Sequence, residues 1–195
     1  LRIDGGTFRV SPSQPLGLVR DSAAGTTVAL YGPLPDGVLG EVRVHREIYR
    51  LRPDVQAVGR GTPPRVGGRS AVVRAPWAGS GFGIYSPPAP PLWRDPQLLR
   101  DDERARQLAE ALGGARAIVM RGNGAVLAAD SIEQAVVLAW YLEDAARVEL
   151  DALAAGFGDE CLLSAEEAAA RATFSGRIVE RMWDFLTDGV DVRPS

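Results

Sequence analysis

The residues best suited to chemistry lie in one stretch, EVRVHREIYRLRPDVQAVGRGTPP, at positions 41 to 64. Glu41 and His45 are four apart, so on a helix a carboxylate and the only imidazole of the chain share a face about one turn long. Arg60 and Thr62 follow in Gly59-Arg60-Gly61-Thr62-Pro63-Pro64, a Gly-rich, Pro-closed loop after the apolar run Val55 to Val58, and a site is expected at that strand's end. Two chemistries are excluded at once. All 22 basic residues are arginine, so there is neither a Schiff-base lysine nor a Walker-type phosphate-binding lysine. A cage of imidazoles around a metal ion needs several deprotonated nitrogen donors; arginine supplies none, Thr62 is a weak neutral ligand, and a single histidine cannot build it. Cys161, the lone thiol, forms no internal disulfide and reads as a small buried hydrophobe instead of a nucleophile. By residue type alone, Glu41 is a first-turn carboxylate that stabilises its helix, and His45 is a packed helix-face residue.

The elements that must position these groups follow from periodicity and punctuation. Short β-prone runs at Thr7 to Val10, Leu16 to Arg20 and Thr27 to Tyr31, separated by Ser, Pro, Gly and Asp, predict two or three antiparallel strands. Val44, Ile48 and Leu51 lie on one face of a helix from Glu41 to Arg52, and Pro53 ends it. Residues 65 to 102 are the least regular, with Ser70 to Arg74 a helix end or a short strand. The following Gly-, Pro- and aromatic-rich run reads as a rigid loop over a core edge. Its aromatics Trp77, Phe82, Tyr85 and Trp93 could wall a ring-shaped substrate. Asp101 to Leu112 is an amphipathic helix stopped by Gly113-Gly114. Ala117 to Met120 and Ala125 to Ala129 form a hairpin around Arg121-Gly122-Asn123-Gly124. Capping boxes at Ser131 to Gln134 and Ser164 to Glu167 open a long helix to about Ala155 and a C-terminal helix to about Leu186. Trp140 and Tyr141 fall in an apolar stripe suited to a core or an interface between copies.

At 195 residues and 46% hydrophobic, the chain suffices for a single domain spanning 1 to 195. A formal net charge of -3 with dispersed arginines offers no field for a phosphate backbone, so no nucleic-acid partner is expected. The lysine-free, Ala-, Gly-, Pro- and Arg-rich usage reads as codon bias. No run approaches the roughly 18 apolar residues of a membrane span and no basic-then-apolar leader opens the chain, so no membrane partner and a cytoplasmic location are expected.

Glu41, His45, Arg52-Pro53-Asp54-Val55, the 59 to 64 loop and the run MRGNGAVLAADSIEQAVVLAWYLEDAARVEL together resemble the class II aldolase/adducin family of L-fuculose-phosphate aldolase type, from about residue 5 to 155. That resemblance implies an α/β, three-layer fold, a central mainly antiparallel sheet flanked by helices, and a homo-oligomer, a tetramer. It gives Glu41 the role of proton carrier. It also places Arg60, Thr62 and the RGNG turn where the family has metal-binding histidines, so this is a divergent member without a metal cage, and no metal or other cofactor is expected. The family's phosphate-binding turn reads Ser11-Pro12-Ser13-Gln14 here and lacks its last glycine. The implied activity is a metal-independent lyase acting through an enolate by aldol cleavage, decarboxylation or isomerisation on a small, non-phosphorylated carbonyl or carboxylate, aromatic or from secondary metabolism. Glu41 and Arg60 would be catalytic, with Thr62, Arg121, Asn123 and Tyr85 binding substrate. Arg60 either holds the negative charge or fills the vacated cage beside a carboxylate. The rival reading is a catalytically inactive, adducin-like scaffold.

Overall fold

The computed structural model describes residues 1–19, 25–71, 85, 89–157 and 163–189; Trp77, Phe82 and Cys161 lie outside them. A four-stranded sheet in the order β3-β6-β5-β4 forms the middle layer, built from Ala57–Gly61 (β3), Leu92–Trp93 (β4), Ala117–Met120 (β5) and Gly124–Ala129 (β6). The β3–β6 and β6–β5 pairs are antiparallel and β4–β5 is parallel. Thr7–Val10 (β1) and Thr26–Ala29 (β2) make a separate two-stranded ribbon. The expected three-layer arrangement with a mainly antiparallel sheet is therefore present.

The two sheet faces are covered by different helices. Val58, Ile118, Met120, Val126 and Ala128 meet Val44 and Ile48 of α1 (Val42–Leu51) and Leu108 and Leu112 of α3 (Asp102–Leu112). The alternate residues Ala57, Ala117, Val119, Ala125 and Leu127 meet Val66 of α2 (Pro64–Ala71) and Leu138 and Leu142 of α4 (Ile132–Ala154). This alternation is the period of two that a strand imposes. Phe8 and Tyr49, both fully buried with ring centroids 5.1 Å apart, join the β1–β2 ribbon to α1. Burial of such a side chain contributes roughly 1.5–3 kcal/mol.

Several boundaries differ from those the sequence suggests. Leu16–Leu18 is a single 3-10 turn after Pro15 instead of a strand. The strand after α1 runs on to Gly61, so Arg60 sits inside a paired strand and not in a loop. Residues 64 to 71 are helical despite two glycines, because the Glu143 carboxylate accepts the free N–H groups of Arg65 and Val66 at the helix start. The C-terminal helix is two pieces, α5 (Ala165–Arg171) and α6 (Ile178–Thr187). Thr173 Oγ1 accepts the Ser175 N–H, and Gly176 and Arg177 take positive φ, so the TFSG run turns the chain in mid-helix. Tyr141 is buried, whereas Trp140 is exposed in a strip with Ile132 and Val136. No helix among the described residues is long and apolar enough to cross a membrane.

Candidate active site

Helices α1 and α3 both lead back into the sheet through short connections, so their N-termini lie at the end where β3 and β5 finish and β6 begins. That end gathers the chemistry. The N-termini of α1 and α3 and the guanidinium of Arg60 lie toward that end, with Asp101 and Asp102 at the start of α3. Arg60 lies opposite Val126, on the same sheet face as Val58, and so points to the α1 layer.

The turn between β5 and β6 reaches across to meet it. Asn123 N–H donates to the Met120 carbonyl at 3.0 Å and closes the turn, while the amide oxygen of Asn123 accepts from Arg60 Nη2 at 2.7 Å. Gly124 has φ of +83°, and a Cβ there would fall 2.0 Å from the Gly61 carbonyl oxygen. Only glycine lets this turn lie directly on the end of β3. From below, Gly122 N–H donates to Ser70 Oγ at 3.1 Å, and that hydroxyl donates to the Gly67 carbonyl at 2.8 Å. Ser70 is completely buried and ties α2 to the turn, a role that no sequence signal marks.

Arg60 is a partly buried cation whose one side-chain partner among the described residues is an amide. Its Nε is buried without a partner, and among the described residues no carboxylate lies within ion-pair distance of it. Glu41 stands immediately ahead of α1 in helical backbone conformation, with its side chain 16% exposed and Arg100 Nε 3.7 Å away. The aliphatic stem of Arg100 folds over Gly40, where a Cβ would come within 3.1 Å of it. His45 follows one turn later, close enough to Arg60 for that charge to matter. Burial first, with the Arg60 guanidinium adding to it, pushes its pKa down to about 4, so the imidazole is neutral at neutral pH.

The other expected site residues are distributed unevenly. Thr62 and Arg121 are exposed at the same sheet end, with Arg121 N–H bound to the Trp93 carbonyl at 2.9 Å. Trp93 packs on the α1–α3 side, and its indole N–H is buried without a partner among the described residues. Tyr85 is not brought to this group. It packs on the opposite face, stacked 5.6 Å from Tyr141 and 4.9 Å from Phe174, with its hydroxyl donated to the Thr173 carbonyl at 2.7 Å.

A zinc or manganese ion does not fit the residues present. Two of the three positions at issue, Arg60 and Asn123, hydrogen-bond to each other instead of presenting donors to a cation, and Thr62 is a lone hydroxyl. Among the described residues no three His, Cys, Asp or Glu side chains are grouped to hold a metal.

Comparison with known proteins places the chain among relatives of the same fold. The chain is 31% identical over 181 residues to a 3,4-dihydroxyphthalate decarboxylase of Rhodococcus jostii (strain RHA1), covering 77% of this chain and 71% of that protein. It is 32% identical over 127 residues to a protein of the same name from Arthrobacter keyseri, covering 60% of this chain and 49% of the relative. The chain thus spans about half the length of this second relative. Among solved structures, L-fuculose 1-phosphate aldolase from Glaciozyma antarctica PI12 superposes with a TM-score of 0.76 at 19% identity, over 96% of this chain and 78% of that one. Residues 21–150 match the family described as Class II Aldolase and Adducin N-terminal domain, and with the three-layer fold and the 41 to 64 frame in place, the chain belongs to the class II aldolase and adducin family.

Proposed function

We propose that this protein is a lyase that decarboxylates an aromatic carboxylate carrying a ring hydroxyl beside the departing carboxyl group. The observation that carries the reading is Arg60, a partly buried guanidinium held by the Asn123 amide and without a carboxylate partner among the described residues. An uncompensated charge in such a place is costly unless an anion arrives to meet it. A substrate carboxylate answers that need in the planar, two-toothed manner that suits arginine. The relatives supply the substrate class. A dihydroxyphthalate has adjacent carboxylates on a ring and a hydroxyl next to one of them, and it has no phosphate, in keeping with the altered SPSQ turn.

The reaction then divides among the residues of this chain. Arg60, turned by Asn123, orients the ring through a carboxylate and holds the negative charge that develops. The Glu41 carboxyl delivers a proton to the ring carbon that bears the departing group. The bond from that carbon to the carboxylate breaks, its electron pair returns to the ring, carbon dioxide leaves, and one proton has replaced one carboxylate. Thr62 and Arg121, exposed at the rim, contact the substrate's polar edge. Neither proton transfer nor charge stabilisation in this scheme calls on a metal, and assembly into a homotetramer belongs to the same proposal.

The test is turnover of 3,4-dihydroxyphthalate by metal-analysed protein before and after chelation, with light scattering for the assembly. Carbon dioxide release that survives chelation supports the reading, and Glu41→Gln is expected to lower it at least about tenfold with the fold intact. Stoichiometric metal required for turnover would overturn the arginine-only scheme. Absence of turnover on any hydroxylated aromatic acid would leave the scaffold reading in its place.

A further inference from the structure

Helix α1 presents six polar side chains, and five are already engaged within the described residues, Tyr49 through its hydroxyl to the Gln56 carbonyl at 3.4 Å. Arg43 and Arg46 both meet Asp102, at 2.9 and 2.8 Å; Arg46 also donates to the Gly32 carbonyl at 3.0 Å; Glu47 accepts from Arg50 at 2.5 Å. His45 is the exception. It is partly buried and makes no hydrogen bond to any described residue. Its neighbours along the helix, Val44 and Ile48, are fully buried in the core, so the imidazole stands at the inner edge of the helix and not in open solvent.

Its position relative to the proposed chemistry is specific. One helical turn, about 5.4 Å along the axis, separates His45 from Glu41. Arg60, on the sheet face that α1 covers, is near enough to depress its proton affinity. A flat ring anchored by a carboxylate on Arg60 would enter the α1 layer, where Glu41 and His45 share a helix face, and would offer its next substituent to His45. We propose, resting on the decarboxylase reading above, that His45 is a specificity-determining residue which accepts a hydrogen bond from the ring hydroxyl adjacent to the substrate carboxylate.

The charge state supports the division of labour. A protonated imidazole would have two donors and no acceptor, and it would compete with Arg60 for the carboxylate; a neutral one has a free lone pair and leaves the carboxylate to the guanidinium. Burial and the Arg60 guanidinium keep His45 neutral. Accepting from the hydroxyl also increases electron density on the adjoining ring carbon, where the proton is to be received. A site made to bind a hydroxyl discriminates against the analogue that lacks it, because the buried polar group is then left without a partner.

The experiment uses two probes, phthalate and 3-hydroxyphthalate, which share the paired carboxylates and differ by one hydroxyl, titrated at low temperature so that binding is read ahead of any turnover of the hydroxylated one. Calorimetric titration of the wild-type protein is expected to give at least about tenfold tighter binding of the hydroxylated probe. His45→Leu should abolish that preference while holding the phthalate affinity within about twofold, and His45→Asn, which retains an acceptor, should restore part of it. Because His45 is the only histidine in the chain, nitrogen-15 NMR of the unmodified protein reads the same bond directly. The accepting ring nitrogen should shift with 3-hydroxyphthalate and not with phthalate. An unchanged preference in both variants, or an imidazole signal indifferent to the hydroxyl, overturns the assignment. Arg60→Ala separates this assignment from the decarboxylase reading. Loss of both probes in Arg60→Ala, together with a wild-type preference retained in His45→Leu, removes the role of His45 alone, whereas failure of the wild type to bind either probe removes the decarboxylase reading and the role of His45 together.

Discussion

Two arginines on opposite faces of the central sheet, Arg69 and Arg60, are partnered in opposite ways. Toward α2 and α4, Arg69 meets Glu149 in a pair whose side chains are 6% and 10% exposed, and Arg65 meets Glu143 at 3.1 Å. Arg116 meets Asp130 at 3.2 Å nearby, and even the Tyr85 hydroxyl is spoken for. Toward α1, Arg60 has an amide where the others have a carboxylate, and His45 has no hydrogen-bond partner among the described residues. One face has completed its charge balance and acts as a structural wall. The other keeps a positive charge in reserve, which is the condition for recruiting an anion.

The comparison can be broken at several points. The largest effect is expected on the closed face: Arg69→Ala leaves Glu149 without that buried cation and should lower unfolding free energy by about 3–5 kcal/mol in urea titrations. A loss under about 1 kcal/mol would mean that the pair is not structural. On the open face, Arg60→Met should reverse the pattern, lowering turnover about 100-fold or more while stability is unchanged or gains up to about 1 kcal/mol. Strong destabilisation by this change would show that Arg60 supports the fold as Arg69 does.

Histidine 45 sharpens the contrast through pH. Its folded pKa of about 4 lies below the ordinary value of 6.5, so in that window the unfolded chain binds a proton that the folded chain does not. Stability is therefore lost as pH falls from about 6.5 to about 4, and His45→Leu should remove on the order of 2 kcal/mol of that acid sensitivity relative to wild type. Identical pH profiles would place the imidazole in contact with water. The smallest effect belongs to Tyr85→Phe, which deletes the bond to Thr173 and should cost no more than about 1.5 kcal/mol with turnover unaltered. A tenfold fall in turnover would instead bring the stacked face into the site.

Much of the frame was legible because it rests on local rules. Asp101, Ser131 and Ser164 cap their helices as the residue types suggest, although Gln134 reaches back to Asp130 N–H and not to its own cap residue. The spacing of Glu41, the apolar strand and the RGNG turn brought one sheet end into view as the place for chemistry. What escaped was set by distant partners. Helix α2 exists because Glu143, 78 residues from Arg65, caps it, and Tyr85 is drawn to the α4 face by Thr173, 88 residues away. The hydrogen bond from Arg60 to Asn123 spans 63 residues and has no counterpart in any sequence rule.

The flanking glycines of the RGNG turn bear on how this site could change over time. Gly122 and Gly124 alone take the backbone conformations that fold the turn onto β3, so its shape does not depend on which side chain stands between them. Position 123 is thus an interchangeable socket facing residue 60 across a fixed gap. A lineage could exchange imidazoles for an arginine and an amide, or the reverse, by altering side chains while the main chain stays where it is. Chemistry at this sheet end can be rewritten without refolding the protein.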